Sequence, residues 1–360
     1  MAKLLVTGAT GFIGSHVAQL LVERGHDVTL GVQEGSPDDA IADLDCRRLK
    51  LELRDRRTVR RALNGAEQVF HCAGVTSVRP QDTELLFDVN VAGTRLMMEE
   101  CLRAEVERVV YTSSAAALGP AAHGKTADEG QLFTAGRLAI PYVDSVHEGE
   151  LEAFRVAARG LPLVCVNPGV CFGPGDHLLS STRLVRSFLL GRVPVHVDGA
   201  ASIVDVRDVA AGHTLAAERG AIGQRYILSA RNFTYERLFA DLGRLSGVDP
   251  PVRLPGAAAR AAAEILGASG RSWPLTQVEV RAAGQWWTYR STKARRELGW
   301  KSRPHEETLE ATVTWHVERE HDRIARTRGS QAMTRRLAAA AVGAGAAAAA
   351  VLRRVPGVRP

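Results

Sequence analysis

The segment Gly8-Ala9-Thr10-Gly11-Phe12-Ile13-Gly14 constrains this chain more than any other, because it follows directly on Lys3-Leu4-Leu5-Val6-Thr7. The apolar run reads as a buried strand and the glycines as a tight turn. The residues up to Arg24 read as a helix that stops at Gly25. A strand that turns straight into a helix points backbone N–H groups into the crevice above the sheet. The helix N-terminus adds partial positive charge, and a diphosphate sits there favourably. G-x-x-G-x-x-G is a spacing variant of the dinucleotide fingerprint, and its place between strand and helix gives it meaning.

The alternation continues downstream. Strands are expected at 27–32, 48–53, 68–73, 108–112 and 163–166, with helices at 58–64, 86–104 and 142–159. This order predicts an α/β chain with a Rossmann-type doubly wound parallel sheet covered on both faces. After Pro168 the pattern is less regular. The expected organisation is a dinucleotide-binding domain over residues 1–175 and a substrate-side region over 176–320 that partly returns to the sheet. A basic, alanine-rich tail follows over 321–360. No period of 20–50 residues repeats.

Charge separates the tail from the body. The whole chain carries +6, whereas residues 321–360 hold eight arginines and one acid, Asp322, and so carry +7. The body is near neutral, which argues against a nucleic-acid partner. Within the tail, residues 337–352 are uncharged and bracketed by Arg335-Arg336 and Arg353-Arg354. As a helix they would span roughly 24 Å, short of the roughly 30 Å hydrocarbon core. The bland expectation is a disordered or partly helical tail; contact with an anionic membrane surface is the alternative. Five cysteines without a C-x-x-C pair argue against a disulfide framework or a structural zinc. With no secretory signal at the opening residues, the expected location is cytoplasmic, at most peripheral to a membrane.

Several ordered motifs resemble the extended short-chain dehydrogenase/reductase superfamily, of the NAD-dependent epimerase/dehydratase type. Within it the chain looks most like dihydroflavonol reductase-like and hopanoid-associated sugar-epimerase-like proteins. Beyond the glycine turn, the resembling segments are Phe70-His71-Cys72-Ala73-Gly74, Asn90-Val91-Ala92-Gly93-Thr94 and Val110-Tyr111-Thr112-Ser113-Ser114. Tyr142, the run 167–176, the run 204–209 and the run 293–300 complete the set. The resemblance implies NAD or NADP as cofactor and a small-molecule substrate, and leaves a homodimer open. It assigns cofactor contacts to Gly8, Thr10, Gly11, Phe12, Ile13, Gly14, Glu52, Leu53, Ala73, Gly74, Asn90, Tyr142 and Pro168. Which dinucleotide binds stays open, because Val32-Gln33 at the end of strand two supplies neither the carboxylate nor the arginine that would decide it. Glu34 reads as a solvated loop acid. Glu52 stands where similar proteins have Asp.

In similar enzymes a Tyr phenol transfers the proton, a Ser or Thr holds the substrate oxygen, and a Lys one helical turn after the Tyr lowers its pKa. A phenol with a pKa of about 10 is a poor base at neutral pH without a nearby cation. Here Tyr142 and Ser114 match, with Ser113 as the adjacent fallback. The lysine position is Val146, and no lysine occurs between Lys125 and Lys293. His147 lies off the Tyr142 face of the helix and reads as a surface residue. Lys125 reads as a solvated loop residue, and Trp286-Trp287 as a packed or edge-exposed pair, with stacking on a substrate ring as the alternative. The expected activity is an NAD(P)-dependent oxidation, reduction or epimerisation at a hydroxyl or carbonyl, with an atypical active site. The alternative is a non-catalytic dinucleotide-binding sensor or interaction protein. No zinc spacing, G-x-S-x-G turn or G-x-x-x-x-G-K-[ST] loop is present.

Overall fold

A computed structural model describes residues 2–255 and 277–327. The expected tail motif at 337–352 lies outside the described residues. The strands β1 (Lys3–Thr7), β2 (Asp27–Val32), β3 (Arg47–Lys50), β4 (Gln68–His71), β5 (Arg108–Thr112) and β6 (Leu163–Pro168) form one sheet. A seventh strand, Arg225–Leu228, returns to it from the region after residue 176 and pairs with β6. The order is seventh strand, β6, β5, β4, β1, β2, β3, and every pairing is parallel. The doubly wound sheet expected from the sequence is therefore present.

Its two faces are sorted by the period of two along each strand. Leu4, Val6, Phe70, Val110, Val164 and Val166 face one core, shared with the helix α1 (Phe12–Glu23) and a later helix, Val206–Arg219. Leu5, Val69, Val109, Tyr111, Leu163 and Cys165 face the other, shared with α2 (Arg56–Leu63), α4 (Thr94–Arg103) and α5 (Pro141–Ala157). Both sides are buried, so the strands read as near-continuous apolar runs. The segment 293–300 completes the first core. Trp300 is fully buried, and its indole N–H donates to the Asp208 carbonyl at 2.8 Å. All five cysteines are free thiols.

The helix expected over 86–104 is instead interrupted. A short helix α3 (Thr83–Phe87) leads into a wide π-turn at Asp88–Gly93 before α4 begins. Two close approaches explain the break. A Cβ on Gly93 would lie 3.0 Å from that of Leu53, and a Cβ on Gly149 would lie 2.2 Å from the Asn90 carbonyl oxygen. The backbone at 88–93 is wedged between α5 and the end of β3, and widening the turn makes room.

The region after Pro168 has its own core. Phe172, Phe188, Ile203, Phe233, Phe239 and Leu242 pack with Leu309, Val313 and Ile324. The last three lie on a helix over 305–327, tied down by the ion pair of Arg186 with Glu320. The helix continues at least to residue 327, the last described one here, and the buried Ile324 extends its apolar stripe past 320.

Candidate active site

The glycine turn is built by close backbone approach. Gly8 has φ +65°, and a Cβ there would lie 2.6 Å from the Ala73 backbone. A Cβ on Gly14 would lie 2.1 Å from the Gly8 carbonyl oxygen. Gly11 precedes α1 as its N-cap and brings no side-chain cap. Thr10 is buried, and the Phe12 ring sits in the first core, so only backbone of these residues can face the crevice. Ile13 is half-buried against the same core. Opposite the turn, Ala73 donates its N–H to Thr7 Oγ1 at 3.2 Å, and Gly74 is exposed. The turn is thus a cradle free of side chains at a helix N-terminus, which fits a dinucleotide diphosphate.

Toward the rim, Gln33 donates to Glu52 Oε2 at 3.2 Å, and Glu52 Oε1 accepts from the Arg54 side chain at 3.4 Å. Glu34 is paired with Lys50. Leu53 is buried in the second core. Asn90 is a clamp. Its Oδ1 accepts from Val75 N at 2.8 Å, and its Nδ2 donates to the Val75 carbonyl at 3.0 Å and to Ser145 Oγ at 3.1 Å. It fastens the loop after β4 to α5, so it shapes the crevice wall with an amide already committed inside the protein.

Tyr142 is the second residue of α5, behind Pro141 at the first helical position, where a missing N–H costs nothing. Ser114 follows β5 and caps the short helical turn at Ala115–Leu118, accepting from Ala116 N at 3.2 Å. Tyr142, Ser114 and Pro168 all line one cavity of about 420 Å³. Burial pushes the Tyr142 phenol above its usual range, and the hydrogen bond with Ser114 opposes this in part.

Val146, one turn further along α5, is buried, so the lysine position is filled by hydrocarbon. Neither nearby cation candidate replaces it: Lys125 is exposed. His147 corrects the expectation of a surface residue. It is half-buried, with Nδ1 at 2.8 Å from the Ala117 carbonyl and its ring stacked 3.7 Å from that of Phe133. It braces the loop beneath Ser114 and stays out of the cavity.

One feature escaped the sequence reading. Glu150, two turns beyond Tyr142, is buried and accepts from Ser113 Oγ and from Asn167 Nδ2, the latter at 2.6 Å, with Arg225 at 3.0 Å. Asn167 also donates to the Ser114 carbonyl at 3.0 Å. Ser113 is thereby committed to Glu150, which leaves Ser114 as the cavity hydroxyl. The spacing of eight from Tyr142 was a readable signal for Glu150; the partners were not. Of the Trp286-Trp287 pair, Trp287 lines the cavity, with its indole N–H donating to the Ala282 carbonyl at 2.7 Å. Trp286 instead packs against His123, the two rings tilted at 57° to each other. Among the described residues, no cluster of His, Cys, Asp or Glu could hold a metal ion, and no helix is long and apolar enough to cross a membrane.

A glycine-turn crevice at the carboxyl ends of a parallel sheet, beside a Tyr–Ser cavity, defines a nicotinamide-dinucleotide protein of the short-chain dehydrogenase class. The comparisons agree. The profile of the NAD dependent epimerase/dehydratase family matches residues 4–229, and the chain belongs to that family. Its cofactor is thus a nicotinamide dinucleotide, NAD or NADP. It is 33% identical over 320 residues to a candidate dihydroflavonol 4-reductase of Synechocystis sp., covering 86% of this chain and 93% of that protein. It is 37% identical over 248 residues to sterol demethylase protein B of Methylococcus capsulatus, covering 69% and 75%. The solved structure of a nucleoside-diphosphate-sugar epimerase from Pseudomonas aeruginosa superposes with a TM-score of 0.75 at 28% identity, covering 88% of this chain and 98% of that one.

Proposed function

We propose that this chain is an NAD(P)-dependent oxidoreductase or epimerase-like enzyme acting on a hydroxyl or carbonyl of a small organic substrate. The observation that carries the proposal is the meeting of Tyr142 and Ser114 on the wall of one cavity, at the end of β5 and β6. When bound, the nicotinamide supplies hydride chemistry. Tyr142 gives a proton to the substrate oxygen in reduction and takes it in oxidation. Ser114 holds that oxygen by a hydrogen bond and so fixes its distance from the phenol. Asn167 holds the Ser114 backbone in turn, and the Glu150–Arg225 pair holds Asn167.

Val146 makes the site atypical. Without a cation one turn away, burial keeps the phenol protonated at neutral pH. That state suits proton donation to a carbonyl and disfavours alcohol oxidation. Val146→Lys is therefore expected to raise the oxidation rate at neutral pH and to move the limb of the pH–rate profile that reports Tyr142 to lower pH. A slower Val146→Lys enzyme would mean another group already occupies the cation's role.

Val146 also supports a second reading: a dinucleotide-binding sensor without turnover. If parent and Val146→Lys both bind NADH and neither turns over any hydroxyl or carbonyl compound in a broad screen, this second reading replaces the first.

A further inference from the structure

The cavity beside Tyr142 differs in kind from the cradle that holds a diphosphate in the same chain. Its walls are Ile140, just ahead of α5, Val143 within it, Leu184, Val195, Phe239 and Trp287. Among the described residues lining it, the carboxylate and guanidinium charges are those of Arg183 and Glu279, which face each other at 3.7 Å. Their charges cancel, so the described lining carries no surplus positive charge for two phosphates.

The backbone at Ser180–Thr182 offers no substitute. Ser180 and Ser181 line the cavity, just ahead of the helix Arg183–Leu189. The amides of Ser180, Ser181 and Thr182 all donate to the carboxylate of Asp176, at 2.9, 2.9 and 2.8 Å. The hydroxyls of Ser180 and Thr182 add two more bonds at 2.9 Å. Asp176 is fully buried. The donors that could cradle an anion are thus consumed by a built-in one, and a diphosphate there would meet fixed negative charge. Contrast the Gly8–Gly14 turn, whose helix end carries no side-chain cap.

What remains is a polar end at Tyr142 and Ser114 and a largely apolar wall, interrupted by polar side chains that include Thr76, Ser202 and His196. Resting on the reading of Tyr142 and Ser114 as the working groups, we infer that the cavity takes an uncharged, largely apolar alcohol or ketone of fused-ring size, and not a nucleoside-diphosphate sugar. Its volume of about 420 Å³ lies within the roughly 300–1,000 Å³ of small-molecule pockets.

The test uses the full chain saturated with NADPH, and calorimetric titration with two probes. One is a 3-oxo steroid, rigid and uncharged with a carbonyl at one end; the other is UDP-glucose. The ketone should bind at least about tenfold tighter, and Leu184→Glu should weaken it by about tenfold or more, because a carboxylate would then be buried against it. Leu184→Ala, a milder change at a half-buried position, should weaken it in the same direction and guards against misfolding of the first variant. UDP-glucose binding tighter than the ketone, with Arg183→Ala abolishing it, would overturn the inference. So would NADPH binding with neither probe bound. Failure to bind NADPH and NADH at all would instead remove the reading on which this inference rests.

Discussion

The glycine turn and the cavity beside Tyr142 are built by opposite means. The turn is continuous in sequence, and its shape is set by backbone contacts that admit no Cβ. The cavity is assembled from segments as distant as Val78 and Trp287, and its character is set by side chains. A site of the first kind depends on which residues are absent from the contact surface. A site of the second kind depends on which residues are present, and tolerates exchange. This is why one fold can keep its cofactor while its substrates vary.

The sharpest way to break this contrast is at the shared edge of the two sites. Tyr142→Phe should lower turnover by about 10²–10⁴-fold, the usual worth of a positioned proton donor. NADH affinity should fall far less than turnover, because the diphosphate is held at the glycine turn and Tyr142 is one expected cofactor contact among many. Steady-state rates with fluorescence titration of NADH would separate the two effects. A variant that turns over like the parent removes Tyr142 from the chemistry.

Next come the glycines themselves. Gly14→Ala places a methyl group 2.1 Å from the Gly8 carbonyl oxygen, whereas Gly11→Ala meets the same oxygen at 3.2 Å. Overpacking against backbone costs about 1–3 kcal/mol or more, so Gly14→Ala should weaken NADH by about a hundredfold. Gly11→Ala should cost clearly less. Equal losses would show that the cradle is not ordered by these close approaches.

The same division governs what the sequence made legible. Gly8, Gly11 and Gly14 announce their role by spacing, and β1 to β6 by apolar runs that alternate with helices. The π-turn at Asp88–Gly93 was hidden, because its cause is contact with Leu53 and α5, far away in the chain. Tyr142 and Val146 were legible through helical spacing. The commitment of Ser113 to Glu150 and of Asn90 to the Val75 loop was not, since each depends on which side chain arrives across the fold. The pair Trp286-Trp287 was legible as a candidate stacking surface, but not which of the two forms the cavity wall. His147 was misplaced because helical spacing set it off the Tyr142 face without showing that Phe133 and Ala117 await it there.

Acid should test the two regions separately. Burial lowers His71 and His213, in the sheet half, to a pKa of about 4, and lowers His316, on the last helix, to about 4 as well. Their folded pKa values lie below the unfolded value near 6.5, so the unfolded chain binds more protons between those limits. Stability is complete above about pH 6.5 and is lost as pH falls toward 4, by up to about 1.4 kcal/mol per pH unit for each histidine. Urea midpoints measured from pH 7 to 4.5 should fall accordingly, and His71→Asn should flatten the slope. Midpoints that stay constant across this range would mean that these imidazoles reach solvent.

The smallest expected effect lies at the rim of the cradle, where the two dinucleotides differ. Gln33 offers neither carboxylate nor guanidinium, and its amide is bonded to Glu52. Glu52 in turn is paired with Arg54, and Glu34 with Lys50. The charges of these residues around the expected ribose position are thus nearly balanced, and each of the cations and carboxylates among them is paired. Discrimination between NADH and NADPH should stay under about a hundredfold, some 2.7 kcal/mol. Gln33→Arg would add a guanidinium able to fork onto a phosphate, while Glu52 beside it would hold part of that charge. The preference should therefore move toward NADPH by only about tenfold, close to 1.4 kcal/mol. Paired titrations of parent and variant with both cofactors measure it directly. A parent preference above about a hundredfold would require a charged contact from outside these residues, and would mean that the cradle, too, draws its selectivity from distant side chains.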